Sequence, residues 1–591
     1  MVFQDFDLIS ERRKAERKQK LKKRIIIGVI STVVLAGLIA AAVFVLTKTE
    51  EEEHKGHKKP PSAPPVKAIS RGQKMVKMMC NSTDYKTKCE ESLGKAVKSD
   101  PKLDQPKDLL EVAIKTAEEE LNKAFDKIKA MKFESEKDKG AFEDCNKLID
   151  DAKEELGFSL SEVDKNELKK LVNRTDDLSN WLSAVMSYHE TCVDGFPDGK
   201  LKTDIEKTFK DSKEYVSNAL AIMSDVTSLL SAFQSATAST ARHLLADKNS
   251  SPADALGNDG LPNWMSQEQR RELKAADDKP TPNVTVAKDG SGQFKTISEA
   301  LKVIPEKYQG RYVVYVKEGV YEETVTVTKK MVNLTLYGDG SQKSIITGSK
   351  NFVDGVRTFQ TATFVVLGEG FLGKAIGIRN TAGPEKHQAV AARVQADHAV
   401  FVNSRFEGYQ DTLYAQTHRQ YYRSCVISGT VDFIFGDAAA VFQNCIMVLR
   451  KPMDNQQNIV TAQGRIDKRE TTGLILQNCE IKPDDNLDKN KIKSYLGRPW
   501  KEYSRTIVME SQIGDVIHPD GWLPWEGDFA LKTLFYGEFN NTGPGASTSK
   551  RVKWPGYKVL TKDEAKEFTV GNFIGGTWII GSVPVQLAFS N

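Results

Sequence analysis

Three kinds of hydrophobic pattern follow one another along the chain, and each predicts a different architecture. Residues 25–46, "IIIGVISTVVLAGLIAAAVFVL", form an uncharged, largely apolar run. At about 1.5 Å per residue it makes a helix of about 33 Å, long enough to span a bilayer. Residues 47–70, with "EEEE" and "KKPPSAPP", have no apolar period and read as an extended stalk. From 71 to 232 the period is helical: "LLEVAIKTAEEELNKAFDKI" puts Leu110, Ala113, Ile114, Ala117, Leu121, Ala124, Phe125 and Ile128 on one face. Similar patterns at 141–160, 176–194 and 203–232 predict an all-α, four-helix bundle. Residues 233–273 are rich in Ser, Ala, Asp, Asn and Pro and read as a linker. In the remaining segment, 274–591, short β-rich runs alternate with Gly, Asn and Asp.

Charge sharpens the first of these patterns. The formal net charge is only +4 against 84 basic and 80 acidic side chains. The whole-chain balance therefore argues neither for nucleic acid nor against it. Locally, Arg12, Arg13, Lys14, Arg17, Lys18, Lys20, Lys22, Lys23 and Arg24 crowd residues 1–24, just ahead of the apolar run. A nucleic-acid patch is unlikely to be followed by such a run, so no nucleic-acid partner is expected. The apolar core is too long for a cleaved signal peptide, which predicts a signal anchor with a cytosolic basic tail. Everything after Leu46 then enters the secretory pathway as a type II precursor. The sequons at Asn81, Asn173, Asn249, Asn283, Asn333 and Asn540 become glycan acceptors there. In the linker, "QRREL" offers Arg270, Arg271 and Leu273 to a trypsin-like or subtilisin-like protease, and a cut there releases the C-terminal part.

Four of the seven cysteines, Cys80, Cys89, Cys145 and Cys192, fall in the helical part. In an oxidising compartment they predict two bridges, with three pairings open. The β-rich segment contains a repeat: "FVNSRFEG" at 401, "YYRSCVISG" at 421, "VFQNCIMV" at 441 and "LILQNCEI" at 474. It aligns Arg405, Cys425, Cys445 and Cys479. Strands at this period with no helix between them indicate a parallel β-helix, with coils about 4.8 Å apart. Cys425 and Cys445, in one register on adjacent coils, are expected to pair, leaving Cys479 a buried free thiol; pairing of Cys445 with Cys479 is the alternative.

The coil length gives two misplaced acids a reason. Asp411 and Asp432 sit among apolar neighbours, where a lone carboxylate is costly. Their spacing of 21 residues, about one coil, sets them on neighbouring rungs of one face. One proton is then shared, or one pKa raised, giving an acid member and a nucleophilic member. Gln388 and Gln410, again about one coil apart, can donate N–H to a developing oxyanion. Arg498 in "YLGRPW" can hold one carboxylate ionised, and Trp500 offers a flat face for a sugar ring. No metal-ligand spacing and no Ser-His or Cys-His arrangement appears, so neither metal nor cofactor is expected.

In order along the chain, "GVYEETV" at 319, "DGVRTFQTATF" at 354, "QAVA" at 388, "GYQDTLY" at 408, "GTVDFIFG" at 429 and "YLGRPWKEYSRT" at 495 resemble the six signature blocks of plant pectin methylesterases. Residues 71–230, with the spacing of their four cysteines, resemble the plant invertase and pectin methylesterase inhibitor domain. The resemblance implies an all-β, right-handed parallel β-helix behind the bundle. It also implies hydrolysis of galacturonate methyl esters in pectin, releasing methanol. Residue by residue it implies Asp432 as nucleophile, Asp411 as general acid then base, Gln388 and Gln410 as oxyanion donors, and Arg498 orienting Asp432. Thr358, Gln388, Arg498 and Trp500 contact the substrate, and Tyr414 and Phe435 line the cleft. The inhibitor family's pattern pairs Cys80 with Cys89 and Cys145 with Cys192. The expected life history is a membrane-held precursor, its bundle acting as its own inhibitor or folding aid, and a monomeric enzyme delivered to the cell wall. Two rivals are a glycosidase on the same scaffold, which releases reducing ends instead of methanol, and an inert binding protein, against which Asp411, Asp432 and Arg498 argue.

Overall fold

Capping chemistry sets where the helices begin. In the computed structural model, which describes residues 70–225, 280–579 and 583–590, Ser70 and Gln73 form a capping box ahead of helix α1 (Arg71–Cys80). Ser135 and Asp138 do the same at the head of α4 (Glu136–Lys165). Between them lie α2 (Lys86–Ser99) and α3 (Pro106–Lys129), the latter opening on proline, which costs nothing at a first helical position. After the short α5 (Leu168–Leu171) come α6 (Thr175–Asp194) and α7 (Lys200–Ser224). The four long helices form the bundle, α4 packing on α6 and α3 on α7. Their apolar stripes meet in a core that includes Leu121, Phe125, Leu148, Leu182 and Phe209.

Cys80 is bonded to Cys89 across the α1–α2 turn, and Cys145 to Cys192, tying α4 to α6 with Cα atoms 4.4 Å apart. The second bridge closes 47 residues of sequence, which constrains the unfolded chain by about 4 kcal/mol.

From Tyr312 to Gly497 each coil gives one strand to each of three parallel sheets, and the end coils extend these, among the described residues, to eleven, seven and eight strands. Inward side chains stack coil on coil: Phe401 lies over Tyr422 with ring centroids 5.4 Å apart, and Tyr422 over Phe442 at 4.5 Å. The repeat read from the sequence is off by one residue at its first member. Arg405 pairs with Val426, so the residue stacked in line with Cys425 is Ser404.

The expected Cys425–Cys445 bridge is absent, and all three β-helix cysteines are buried free thiols. Adjacent parallel coils hold their Cβ atoms about one strand spacing apart and pointing the same way, wider than a disulfide favours. Each thiol instead donates to a carbonyl of the preceding coil: Cys425 to Phe401, Cys445 to Tyr422 and Cys479 to Phe442, at 3.3–3.5 Å.

Residues 25–46, the linker residues Arg270, Arg271 and Leu273, and the sequon at Asn249 lie outside the described residues. Among the described residues, no helix is long and apolar enough to cross a membrane. Asn81, Asn173, Asn283, Asn333 and Asn540 are all exposed.

Candidate active site

The seven-stranded sheet carries the site on its outer face. Along Leu413–Ala415 and Ile434–Gly436 the residues alternate: Leu413, Ala415 and Ile434 enter the β-helix core, while Tyr414 and Phe435 face out. Their rings stack in register, centroids 4.3 Å apart, and Trp500 meets Phe435 edge-on at 5.9 Å. Gly436 permits this close layering: its φ is +125°, and a Cβ there would sit 1.9 Å from the Ala415 carbonyl oxygen.

At the corner preceding these two strands stand Asp411 and Asp432, on adjacent coils, the Asp411 amide donating to the Val431 carbonyl at 3.0 Å. Both hold left-handed backbone conformations, φ +63° and +51°, which are uncommon outside glycine. Such strain collects where a side chain must be aimed. The strand Ser494–Gly497 delivers Arg498, whose Nε and Nη2 donate to the two oxygens of Asp432 at 2.9 and 2.5 Å. Burial works against the Arg498 charge, and Asp432 more than offsets it, so its pKa lies above the usual value. Asp411 has no such partner. Burial, joined by the negative charge of Asp432, pushes its carboxyl well above the ordinary carboxylate range, with Arg498 opposing weakly. The pair is therefore unequal: Arg498 forks onto Asp432, while burial and the charge of its neighbour raise the carboxyl of Asp411.

All nine residues picked from the sequence, Thr358, Gln388, Gln410, Asp411, Tyr414, Asp432, Phe435, Arg498 and Trp500, line one cavity of about 550 Å³. The sequence reading missed Trp525, whose ring lies 4.2 Å from the Arg498 guanidinium. The two tryptophans of "GWLPW", Trp522 and Trp525, were a signal for it.

The sequence reading expected the bundle to act as an inhibitor but named none of the residues by which the bundle forms the far wall of this cavity. Ala141, Asp144, Cys145 and Leu148 of α4, and Thr191 and Asp194 of α6, close over the cleft. The contact is charge-complementary, with acids on the bundle and bases on the β-helix. Asp144 accepts from Arg357 and from the Gln360 amide, each at 2.6 Å. Lys501 reaches Glu190 at 2.8 Å and Asp194 at 2.7 Å. Burial disfavours the Lys501 ammonium, but the two carboxylates outweigh it and raise its pKa. Arg419 meets Asp177 at 2.7 Å, and buried His418 touches Glu155, Asn180 and Tyr188. Gly140 lets α4 come this near, since a Cβ there would lie 2.0 Å from an Arg357 nitrogen.

Comparison with known proteins agrees with both halves. The family model "Pectinesterase" matches residues 283–577, and "Plant invertase/pectin methylesterase inhibitor" matches 74–222. An Arabidopsis thaliana protein described as "Probable pectinesterase/pectinesterase inhibitor 13" is 48% identical over 99% of both chains. "Pectinesterase 3" of Citrus sinensis is 42% identical over 86% of this chain and 87% of its own. Among solved structures, pectin methylesterase from carrot is 50% identical with a TM-score of 0.52, matching 53% of this chain and 99% of its own. A carboxylate held by an arginine fork beside a buried one of raised pKa, on a parallel β-helix capped by an inhibitor-like bundle, thus sits in a chain that belongs to the pectinesterase family, carboxylic ester hydrolases of pectin, with an N-terminal inhibitor domain.

Proposed function

We propose that Asp432 attacks the methyl ester carbonyl of a galacturonate unit in pectin. The Gln388 and Gln410 amides take up the negative charge of the tetrahedral oxygen. As the C–O bond breaks, Asp411 gives its proton to the departing methoxide, which leaves as methanol, and an acyl–Asp432 intermediate remains. Asp411, now a carboxylate, takes a proton from water. The hydroxide adds to the acyl carbon and frees Asp432, so that one ester and one water yield one acid and one methanol. The observation that carries this assignment is the Arg498 fork on Asp432 beside a carboxyl whose pKa burial raises. Thr358, Trp500, Tyr414 and Phe435 hold the sugar chain against the acids. Asp432→Asn is nearly isosteric and should fold normally while methanol release falls at least about 10⁴-fold. A variant near wild-type turnover removes Asp432 from the nucleophile's role.

The bundle in this reading is an intramolecular inhibitor. Its support is the row of α4 and α6 acids seated on β-helix bases around the cavity. A linker of about 40 residues keeps the bundle near its target at an effective concentration on the order of millimolar. Residues 25–46 anchor the precursor in the secretory-pathway membrane, and the exposed sequons carry glycans. A subtilisin-like protease cutting at Arg270–Leu273 releases the enzyme to the cell wall.

A further inference from the structure

One cation beside the cleft, Arg393, forms no ion pair among the described residues. On the outer face of the seven-stranded sheet, Val365, Arg393, Tyr414, Phe435 and Ala462 stand in register on successive coils. Ala392 and Val394 on either side of Arg393 enter the β-helix core, so Arg393 points outward, in line with the aromatic floor. It is only 7% exposed. Its guanidinium lies 3.7 Å from the centroid of the Phe359 ring, and its Nη1 donates to Gln395 at 2.8 Å and Gln416 at 2.9 Å. Its Nε is buried and meets no acceptor. Burial draws its pKa down to about 10, which leaves it charged at neutral pH.

Its neighbours are treated differently. Arg357 is matched by Asp144 and Lys329 by Asp151, at 2.6 and 2.7 Å. Asp151 also accepts from the Gln395 amide at 2.6 Å and so comes near Arg393 without an ion pair. A buried cation held by two neutral amides and a ring is costly, and the bundle does not relieve the cost. An arginine fork whose Nη1 is held by two amides and whose Nε has no acceptor matches a planar carboxylate.

We propose that Arg393 binds the free carboxylate of an already demethylated galacturonate unit in the pectin strand whose ester lies at Asp432. The subsite rests on the esterase reading above. Arg393 lies one coil, about 4.8 Å, from the Tyr414 rung on the side away from Phe435. The groove is thus graded, with a cation toward the N-terminal coils and the apolar faces of Phe435, Ala462 and Trp500 toward the C-terminal ones. A strand carrying acids on the first side and methyl esters on the second fits both. Each turnover makes the group that Arg393 takes, so hydrolysis proceeds next to earlier product.

The β-helix half is suited to the test: its core closes without the bundle, and the solved carrot relative spans this half alone. Methanol release is measured on two oligogalacturonates of equal length, one fully methylated and one demethylated over a block at one end. The wild type should favour the block-demethylated oligomer about tenfold in kcat/KM, through KM, as expected for one charge-assisted contact. Arg393→Gln should bring the ratio near one, and Arg393→Lys, which keeps charge but not the fork, should fall between. A wild type without preference, or an Arg393→Gln ratio equal to wild type, overturns the proposal. Binding of fully demethylated oligogalacturonate to Asp432→Asn, with and without Arg393→Lys, is the second reading; equal affinities overturn it even if Arg393→Gln does not fold. Absence of methanol from every protein contradicts the esterase reading instead, and the binding comparison still decides the subsite.

Discussion

The bundle and the β-helix bury charge by opposite means. The bundle keeps its core apolar and displays its acids on the outer turns of α4 and α6, where Asp144, Glu190 and Asp194 meet bases of the other half. The β-helix builds its charges into its own layers: Arg498 and Asp432 come from coils far apart in sequence and meet because the coils stack. Cross-linking differs in the same sense. The helices are tied by two disulfides, whereas the β-helix leaves three thiols free in a ladder of backbone contacts. A helix bundle of this size depends on ties that restrict its unfolded chain, while a solenoid gains its order from each coil templating the next.

Reduction should separate the halves most strongly. With the Cys145–Cys192 bridge opened, the bundle should lose about 4 kcal/mol. The β-helix, having no bridge among its described residues, should keep its melting temperature. Calorimetry of the full chain with and without reductant reads this as one transition moving and one fixed. Two transitions moving together would mean that the halves unfold as a single unit.

The contact between them can be weakened from the β-helix side. Lys501→Ala takes the cation from Asp194 and leaves Glu190 with Lys213 alone, a change worth about 2–5 kcal/mol in docked charge pairs. Methanol release by the uncleaved chain should rise at least tenfold. An unchanged rate would show that this ion cluster does not hold the bundle down.

These charge arrangements also mark the limits of sequence reading. The helices were legible because Leu110, Ile114, Leu121 and Phe125 repeat at helical spacing. The solenoid was legible because β-rich runs around Arg405, Cys425, Cys445 and Cys479 recur at about one coil. The nine cleft residues could be named because Asp411 and Asp432 fall one coil apart and their motifs resemble a known family. The one-residue slip at Arg405 arose because a residue-type match was taken for a structural register, and backbone pairing instead selects Ser404. The predicted Cys425–Cys445 bridge failed for a related reason: sharing a register brings Cβ atoms near without turning them toward each other. That the bundle inhibits was legible, but the residues that seat it were not. Asp144, Glu190 and Asp194 look like ordinary solvated helix charges until Arg357 and Lys501 are set opposite them.

The smallest expected effect concerns the pH response of the site itself. An acid whose pKa is raised by folding keeps a proton that the unfolded chain has released. Stability therefore falls as pH climbs from the usual carboxylate value through the raised one. Asp411 is such a group, through burial first and the Asp432 charge second. Asp411→Asn should remove that penalty, so denaturant midpoints of the β-helix half should favour the variant more at pH 7 than at pH 4. A difference independent of pH would show that Asp411 carries no raised pKa in the folded chain.

The central claim, that a complete esterase cleft lies shut beneath its own inhibitor-like bundle, has a direct test. Arg270→Ala with Arg271→Ala keeps the chain whole, and its methanol release from methylated pectin is compared with that of residues 274–591 at equal concentration. At the expected effective concentration of the tethered bundle, on the order of millimolar, even weak affinity leaves the whole chain nearly silent. The account predicts at least about a hundredfold higher rate from the β-helix half; equal rates would contradict it.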